Sequence, residues 1–414
     1  MPQSQRQKSS SITSKRFNPI SMVVKFIMEL IDIPFRTIQR HVGTNRMAYF
    51  FLLPNLLIFG LFSFWPMILN IYISFTGSET TKIAERPWVG LENYSRLLDC
   101  PSYLVPKTCN VAGYSFWTGM WNTLTFSVIQ VPLMILFALI TAIILNREIR
   151  ARGLWRAVYF YPVMLSPVVV GIIWTWILKR RGILNALLKQ IAEFRNDIAA
   201  LPSIQWIVSI VLMIGLLLIS RRILKFQAKT LRYGGLLVCI GLAFLVSTAD
   251  WASIIEAGRY RNVNWLIDRR TAWPFFWVVF VYSWAHLGFY MLILLAGLQA
   301  IPKDIYEAAE MDGTPKWRVF TRITMPLLMP TMLVVLILSL IKAFQVFDEV
   351  YVLTGGGPGQ ATKMVIQHIY EIAFTGETKH YGVAAASSIL MAGIILVFTM
   401  IQLWLTKRRS EGPS

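Results

Sequence analysis

The side chains able to support chemistry in this chain are few and scattered. Its four histidines, His41, His286, His368 and His380, stand far apart, and its cysteines are three, Cys100, Cys109 and Cys239. No HExxH pair, no G-x-S-x-G nucleophile turn and no pair of carboxylates within an apolar run occurs, so no catalytic residue, metal site or cofactor is expected. The glycines at 355, 356, 357 and 359 have the composition of an anion cradle. A phosphate loop, however, needs G-x-x-x-x-G-K-[ST] between a strand and a helix, whereas here Lys363 follows Thr362 and a long apolar run precedes. What remains is polar side chains inside such runs: His286 and Tyr290 in one, Ser339, Lys342 and Gln345 in another. An ionisable group where lipid would surround it is costly and marks a candidate functional site. The last three recur at intervals of three, which predicts one shared helix face. They offer the donors and acceptors a polyhydroxylated solute needs, while hydrogen bonding between helices, or snorkelling of Lys342 toward the surface, accounts for them too.

The elements that must hold these groups are membrane spans. Of 414 residues, 56% are hydrophobic and only 15% charged, the composition of a polytopic membrane protein. Runs long enough to cross a bilayer lie at 48–75, 120–145, 157–178, 203–220, 233–249, 272–298, 327–347 and 383–405, which makes eight. Counting from an inside start, 24 of the 40 Lys and Arg fall on the inner side, 15 on the outer, and Lys342 within a run. That imbalance predicts both termini in the cytoplasm. The net charge of +19 is then a property of loops facing anionic lipid and partner proteins, and nucleic acid is not expected as a partner. The basic segment 1–47 lacks the early apolar run of a signal peptide; within it, 17–40 suits a helix on the inner leaflet or a loose tether. The loop 76–118 is external in this scheme, and Cys100 and Cys109 within it either close a small disulfide loop in an oxidising compartment or remain free thiols.

One polar stretch, 301–330, interrupts the apolar pattern on the inner side. Asp304 is placed to cap a short helix with Glu307 three residues on, Gly313 supplies a left-handed stop, and Thr314 is placed to cap a second helix opening at Pro315. Ala308 and Ala309 would leave the first helix bare on one side, so that another protein's backbone could approach.

Glu307-Ala308-Ala309, three residues, Gly313, nine residues, then Ile323-x-Met325-Pro326 resembles the EAA loop of ABC importer permeases, with Met325 standing where that pattern has Leu. Further phrases are similar to sugar-uptake members of the maltose and glycerol-phosphate type: RAVYFYPVMLSPVVVGIIWTWIL, LILLAGLQAIPKDIYEAAEMDG and FDEVYVLTGGGPGQAT. The resemblance covers 48–406 apart from an insertion at about 190–260, which holds two of the eight runs and keeps span parity. It implies an all-α polytopic membrane protein, a type I importer core of six spans plus an inserted hairpin. Its parts would be a cytoplasmic segment 1–47, core residues 48–189 and 261–406 flanking the insertion, and a tail 407–414.

The resemblance further implies half of a permease heterodimer in a bacterial inner membrane, importing a sugar or polyol derivative. Two cytoplasmic ATPase subunits would dock on the coupling loop through Glu307, Ala308, Ala309, Gly313, Ile323 and Pro326, and an external solute-binding protein would deliver substrate. Substrate would pass between the span of His286 and Tyr290 and the span of Ser339, Lys342 and Gln345. The rival classes are a self-contained secondary carrier and a lipid-glycan enzyme. A carrier should show internal repeats and buried carboxylates along an ion path, and neither is visible in the sequence.

Overall fold

The computed structural model describes residues 43–77, 80, 82–201, 204–223, 242, 260–375 and 378–410, and among these it is helical throughout, apart from a single isolated bridge between Thr76 and Trp88. The chain divides into two compact units, 1–72 and 73–414. In the first, α1 (Thr44–Phe59) carries Pro54 and passes through a π-turn at Gly60–Phe64 into α2 (Trp65–Ser74), whose end reaches the second unit.

The second unit is organised around α4 (Val111–Asn146), which follows a short loop helix α3 (Glu92–Leu98). Asn110 caps α4 by accepting from the Gly113 amide at 2.7 Å, so the helix starts nine residues before the apolar run that predicted it. At 36 residues it is about 54 Å long, well beyond the roughly 30 Å of a hydrocarbon core. The first half of α4, through Phe126 and Val131, packs with Val278, Val281 and Tyr282 of α9 (Trp273–Gln299) and with Ala343 of α12 (Met325–Phe344). Its second half, Met134 to Leu145, packs with Tyr290 to Leu298 of α9 and with Leu328 and Val335 of α12. Consequently α4 and α9 run parallel and α12 runs antiparallel to both. The turn after α4 and the stretch after α9 therefore emerge at one end of the bundle. At the other end Leu97, Phe116, Met120, Phe344 and Val365 pack with Val383, Ala386 and Met391 of α15 (Tyr381–Ser410).

Five helical segments are long and apolar enough to cross a membrane: Leu52–Ser74, Val111–Asn146, Trp273–Gln299, Lys316–Phe344 and Tyr381–Trp404. The run 157–178, expected as one span, is broken. α5 (Arg152–Phe160) and its 3-10 continuation Tyr161–Met164 stop at Leu165–Ser166, and the chain from Pro167 turns by 99° into α6 (Pro167–Leu178) and α7 (Ile183–Ala199). Two prolines cause this: Pro162 opens the 3-10 turn and Pro167 opens α6, and a proline disfavours helical backbone in the residue before it. α6 alone, about 18 Å long, is too short to span. With this pair taken as one span the described residues hold six rather than eight. Of the two inserted runs the first forms α8 (Ile204–Ile223), and the second, 233–249, lies outside the described residues, as do the candidate inner-leaflet helix 17–40 and most of the basic turn 220–233.

The insertion leaves and rejoins the core at one clamp. Asn185, buried in α7, donates to the Lys179 and Val263 carbonyls at 3.1 and 3.0 Å, while its Oδ1 accepts from the Val263 amide at 3.1 Å and the Tyr260 hydroxyl at 2.6 Å. The expected boundary at 190 thus falls inside α7. Because 185 and 263 are pinned together, replacing about 193–257 with a short flexible linker is expected to leave the protein extractable and monodisperse. Asn185→Leu in the parent should lower the thermal midpoint more than an exposed α7 substitution such as Glu193→Gln. Aggregation of the shortened chain with Asn185 intact would show that the insertion is part of the core.

Candidate coupling loop and translocation surface

The polar stretch forms a knuckle at the bundle end where α4 and α9 finish. α10 (Lys303–Met311) starts after Pro302, which caps it without a side-chain bond, so Asp304 lies inside the first turn, where a carboxylate favours the helix dipole, and is not the cap. The proline ring fixes φ and its ψ of 137° keeps it outside the helix, which moves the helix start two residues earlier than the capping-box spacing predicted. Gly313 has φ +64°; its amide donates to the Glu310 carbonyl and the Thr314 amide to the Ala309 carbonyl, each at 3.0 Å. That pair of bonds is a Schellman stop, which satisfies carbonyls the helix would otherwise leave open. Pro315, not Thr314, caps α11 (Lys316–Val319), and a π-turn at Phe320–Thr324 carries the chain into α12 without a break. The Tyr306 hydroxyl and Thr324 Oγ1, 3.2 Å apart, tie α10 to that turn.

The knuckle's outer surface differs from the sequence expectation. Glu307 and Ala308 are exposed, but Ala309 is turned inward at 6% exposure, because it lies about 100° further round the helix, on the side packed against the rest of the chain. Ile323 is half-buried and Pro326 exposed. Two side chains that the motif did not single out dominate the surface: Met311 at 88% and Trp317 at 74% exposure.

The five polar residues expected to line a path between α9 and α12 do not converge there. Tyr290 and Ser339 are buried in the chain's own core, the Ser339 hydroxyl donating to the Leu336 carbonyl at 3.1 Å. Lys342 and Gln345 are exposed. Steps of three on a 3.6-residue helix drift by about 60° each, so residues 339 and 345 lie about 120° apart, and the shared face predicted from spacing does not exist. The space between α9 and α12 is filled by Leu294, Leu295, Leu298, Leu328 and Val335.

His286 has a partner the sequence did not reveal. Glu349, on α13 (Asp348–Thr354), is 5% exposed and places Oε1 3.7 Å from His286 Nε2, while His286 Nδ1 lies 3.0 Å from the Tyr282 carbonyl and its ring stacks on Tyr282. Burial pushes the Glu349 carboxyl up from its ordinary range and the neighbouring histidine works in the opposite direction. Next to the exposed Gln345 runs an aromatic series, Phe347, Tyr351 and Tyr370, closed by Phe374, with successive ring centroids 5.2, 5.5 and 5.6 Å apart. Tyr351 and Phe374 are open to the outside of the chain.

The glycine-rich turn after α13 is a brace. Thr354 and Thr362 hydroxyls meet at 2.7 Å, Thr362 Oγ1 donates to the Gly357 carbonyl at 2.6 Å, and Asn122 of α4 donates to the Gln360 and Lys363 carbonyls at 2.8 and 2.9 Å. In the loop before α4 Cys100 and Cys109 are joined by a disulfide. Among the described residues no cluster of three metal-ligating side chains forms.

Residues 134–411 match the family described as "Binding-protein-dependent transport system inner membrane component". The chain belongs to this family. It is therefore a multi-pass membrane component of a transport system. A trehalose/maltose transport system permease protein, MalF, of Thermococcus litoralis is 30% identical over 367 residues, 88% of this chain and 95% of that protein. The lactose transport system permease protein LacF of Rhizobium radiobacter is 26% identical over 376 residues, 90% and 97% of the two chains. A chain of the crystal structure of a bacterial ABC transporter involved in the import of the acidic polysaccharide alginate superposes with a TM-score of 0.60 at 20% identity, covering 90% of this chain and 99% of that one, a likeness of fold.

Two outcomes follow from this geometry. Gly313→Val meets no neighbour within 4 Å but forces a β-branched residue to φ +64°, a strain of roughly 1–2 kcal/mol. In a reconstituted transport system carrying it, transport should fall several-fold while the chain's assembly and thermal midpoint stay near the parent's; undiminished transport would remove the knuckle from the mechanism. At the ion pair, His286→Leu strands a buried carboxylate and should lower stability by about 1–3 kcal/mol in a thermal or denaturant titration. Adding Glu349→Gln to it should recover part of that loss, and strictly additive effects would show that the two groups do not interact.

Proposed function

We propose that this chain is one permease half of an ATP-driven, binding-protein-dependent importer for a carbohydrate or sugar derivative, in which the knuckle 301–324 docks on a cytoplasmic ATPase. The observation that carries this is the knuckle itself: a Schellman-stopped helix that projects Glu307, Ala308, Met311 and Trp317 away from the packed core and continues through α11 into α12 without interruption. ATP is hydrolysed on two partner subunits, since this chain carries neither a phosphate loop nor a catalytic constellation. A second permease completes the pathway, and an external solute-binding protein delivers the substrate. Sugar specificity is supported by the names of the maltose and lactose permeases to which the chain is similar.

In this reading the disulfide loop and the glycine-rich turn are external, the knuckle and both termini cytoplasmic. Substrate runs along the outer surface of this half, against the second permease, where Gln345 and Lys342 offer polar groups beside the faces of Tyr351 and Phe374. Sugars present hydroxyl edges and apolar C–H faces, and an amide next to aromatic rings matches both. His286, Tyr290 and Ser339 then support that surface from behind.

The contact of the buried Glu349 with the half-buried His286 is the one observation that favours a proton-coupled secondary carrier, in which a carboxylate at the end of a span takes part in ion coupling. Co-reconstitution with the partner subunits in proteoliposomes separates the two. Uptake that requires ATP and survives a protonophore supports the importer; uptake by this chain alone, abolished by the protonophore and indifferent to ATP, overturns it. Within the importer, Gln345→Leu is expected to weaken uptake or alter selectivity among oligosaccharides by about tenfold, the scale of an unpaired hydroxyl at a polar site, with basal ATP hydrolysis unchanged. Parent-like uptake of every sugar tested would move the pathway to another face.

A further inference from the structure

The glycine-rich turn, the first turns of α4 and the disulfide loop enclose a cleft that has no part in the reading above. It measures about 320 Å³, at the lower end of the range that small-molecule sites occupy. Tyr114, Thr118, Trp121 and Asn122 form its α4 wall, at spacings that share one helix face. Leu104 and Lys107 of the disulfide loop line it on one side, and Gln360 of the glycine-rich turn on another. The walls are pinned to one another. Trp121 Nε1 donates to the Tyr103 carbonyl at 2.7 Å, which holds the disulfide loop on α4, and Asn122 holds the turn through the Gln360 and Lys363 carbonyls. Counted from Asn146, where the polar turn begins, residues 114–122 lie about 36–48 Å along the helix, past the roughly 30 Å of a hydrocarbon core. A solute therefore reaches the cleft from water.

Gln360 is the lining residue that the fold does not explain. The turn is built on glycines, of which Gly355, Gly356 and Gly359 have φ of +60°, +81° and +58°. Gln360 has φ +71°, a backbone state that strains any residue with a Cβ and costs glycine nothing. Its carbonyl serves the turn, accepting from Asn122 at 2.8 Å and from the Lys363 amide at 3.2 Å. Its side chain makes no hydrogen bond among the described residues, and one end of its amide is enclosed without a partner. Glycine at 360 would keep both backbone bonds with less strain. An amide held in a strained position, bonded to nothing in the fold, points to a ligand. The rest of the lining says what kind. With its nitrogen spent on the turn, the Asn122 oxygen accepts from no group among the described residues, and Tyr114 and Trp121 add aromatic surface.

We propose that this cleft binds a short saccharide from the aqueous phase, its hydroxyls bonded to the amides of Gln360 and Asn122 and its apolar C–H face laid on the ring of Tyr114 or Trp121. A sugar presents hydroxyls and a C–H face together, and amides beside aromatic rings at a water-filled site accommodate both. Lys107, exposed at the rim, adds a charged donor. The site shares no residue with the surface of Lys342, Gln345 and Tyr351 along which the substrate is proposed to run. Its position on the outer side, at the approach to that surface, rests on the function proposed above; the binding of a saccharide does not.

The test uses the full chain purified with its partner permease and ATPase subunits in nanodiscs, without the solute-binding protein. Maltose, trehalose and lactose are titrated separately, and binding is read by saturation-transfer NMR. At least one of the three should bind saturably to the parent. Gln360→Gly should weaken that binding by about tenfold, the scale of lost hydrogen bonds. Its thermal midpoint without sugar should equal or exceed the parent's, because glycine relieves the strain at φ +71°. Tyr114→Leu should weaken binding several-fold, and Gln345→Leu, on the other surface, should bind as the parent does. Saturable binding of none of the three sugars overturns the proposal, as does parent-like binding by Gln360→Gly or by Tyr114→Leu. An equal loss in Gln345→Leu also overturns it, since the sugar would then sit on the other surface. A Gln360→Gly chain that melts below the parent or fails to fold shows that the amide serves the fold, and the proposal falls with it. Gln360→Gly that binds sugar normally but loses stimulation of ATP hydrolysis by the solute-binding protein would make the cleft a protein contact instead. The binding readouts involve neither transport nor ATP hydrolysis, so their failure leaves the importer reading standing, and an inactive importer whose sugar binding depends on Gln360 leaves the site standing.

Discussion

In hydrocarbon no water competes for apolar surface, so the association of α4 with α9 depends on shape: a row of small and branched side chains along two helices that run in the same direction over most of their length. Parallel neighbours cannot be joined by a tight turn. The chain leaving α4 must return to the opposite end before α9 begins, and that return is made by the broken element α5–α6 together with the insertion. The constraint also fixes polarity. Once α4 and α9 are parallel, the knuckle after α9 and the arginine-rich turn after α4 share one end, and the disulfide loop before α4 shares the other with the glycine-rich turn. The excursion between residues 185 and 263 leaves this intact, its two roots being bound to each other by one asparagine.

Many hydroxyls and amides within the bundle are spent locally or used to join elements, although both side-chain polar atoms of the buried Gln130 have no partner within the chain. Thr123, Ser127, Thr175 and Ser387 donate to the carbonyl four residues back, each at 2.8 Å, and so present no unsatisfied hydroxyl. Three asparagines do the joining. Asn93 bonds the Ser74 and Thr76 carbonyls, Asn122 holds the glycine-rich turn on α4, and Asn185 closes the insertion. An asparagine suits this work because one side chain offers two donors and an acceptor without charge, so its burial costs far less than that of a lysine or a carboxylate. Glu349 is a buried carboxylate, and His286 is the group that faces it.

Much of this was legible in the sequence where a local rule decides the outcome. Gly313 as a left-handed stop, the rejection of the phosphate-loop reading and most apolar runs depend on residue type and spacing alone. What escaped was decided by tertiary placement. Spacing of three suggested one face for Ser339, Lys342 and Gln345, but the helical drift and the position of α9 buried the first and left the others outside. Ala309 matched the motif, yet the twist of a nine-residue helix turned it inward. Pro162 and Pro167 were visible as letters inside an apolar run, and hydropathy averaged over them concealed the break that their backbone restrictions impose. Glu349 lies sixty-three positions from His286, and no periodicity connects residues on separate elements. A charged residue directly after a span, in the phrase beginning at Phe347, was the only available signal.

The continuity from α11 through the π-turn into α12 suggests how force would travel. Lys316 to Phe344 forms one helical segment of 29 residues, about 43 Å end to end, with the exposed Trp317 near one end and Gln345 immediately beyond the other. A rigid rod of that length converts a tilt of a few degrees at the knuckle into a displacement of a few ångströms at the far end, the scale of rearrangement that opens or closes a helix interface. The rod is not uniform, however. The π-turn at Phe320–Thr324 and the proline at 330 are the places where a helix bends, because each leaves carbonyls without their usual partners. Tyr306 spans the π-turn from α10 through its contact with Thr324, so α10 and the first bend move together. The Glu349–His286 contact then ties the segment that follows α12 back to α9. A displacement of α12 at its far end would therefore act on the contact between α13 and α9, where the half-buried His286 faces the buried Glu349.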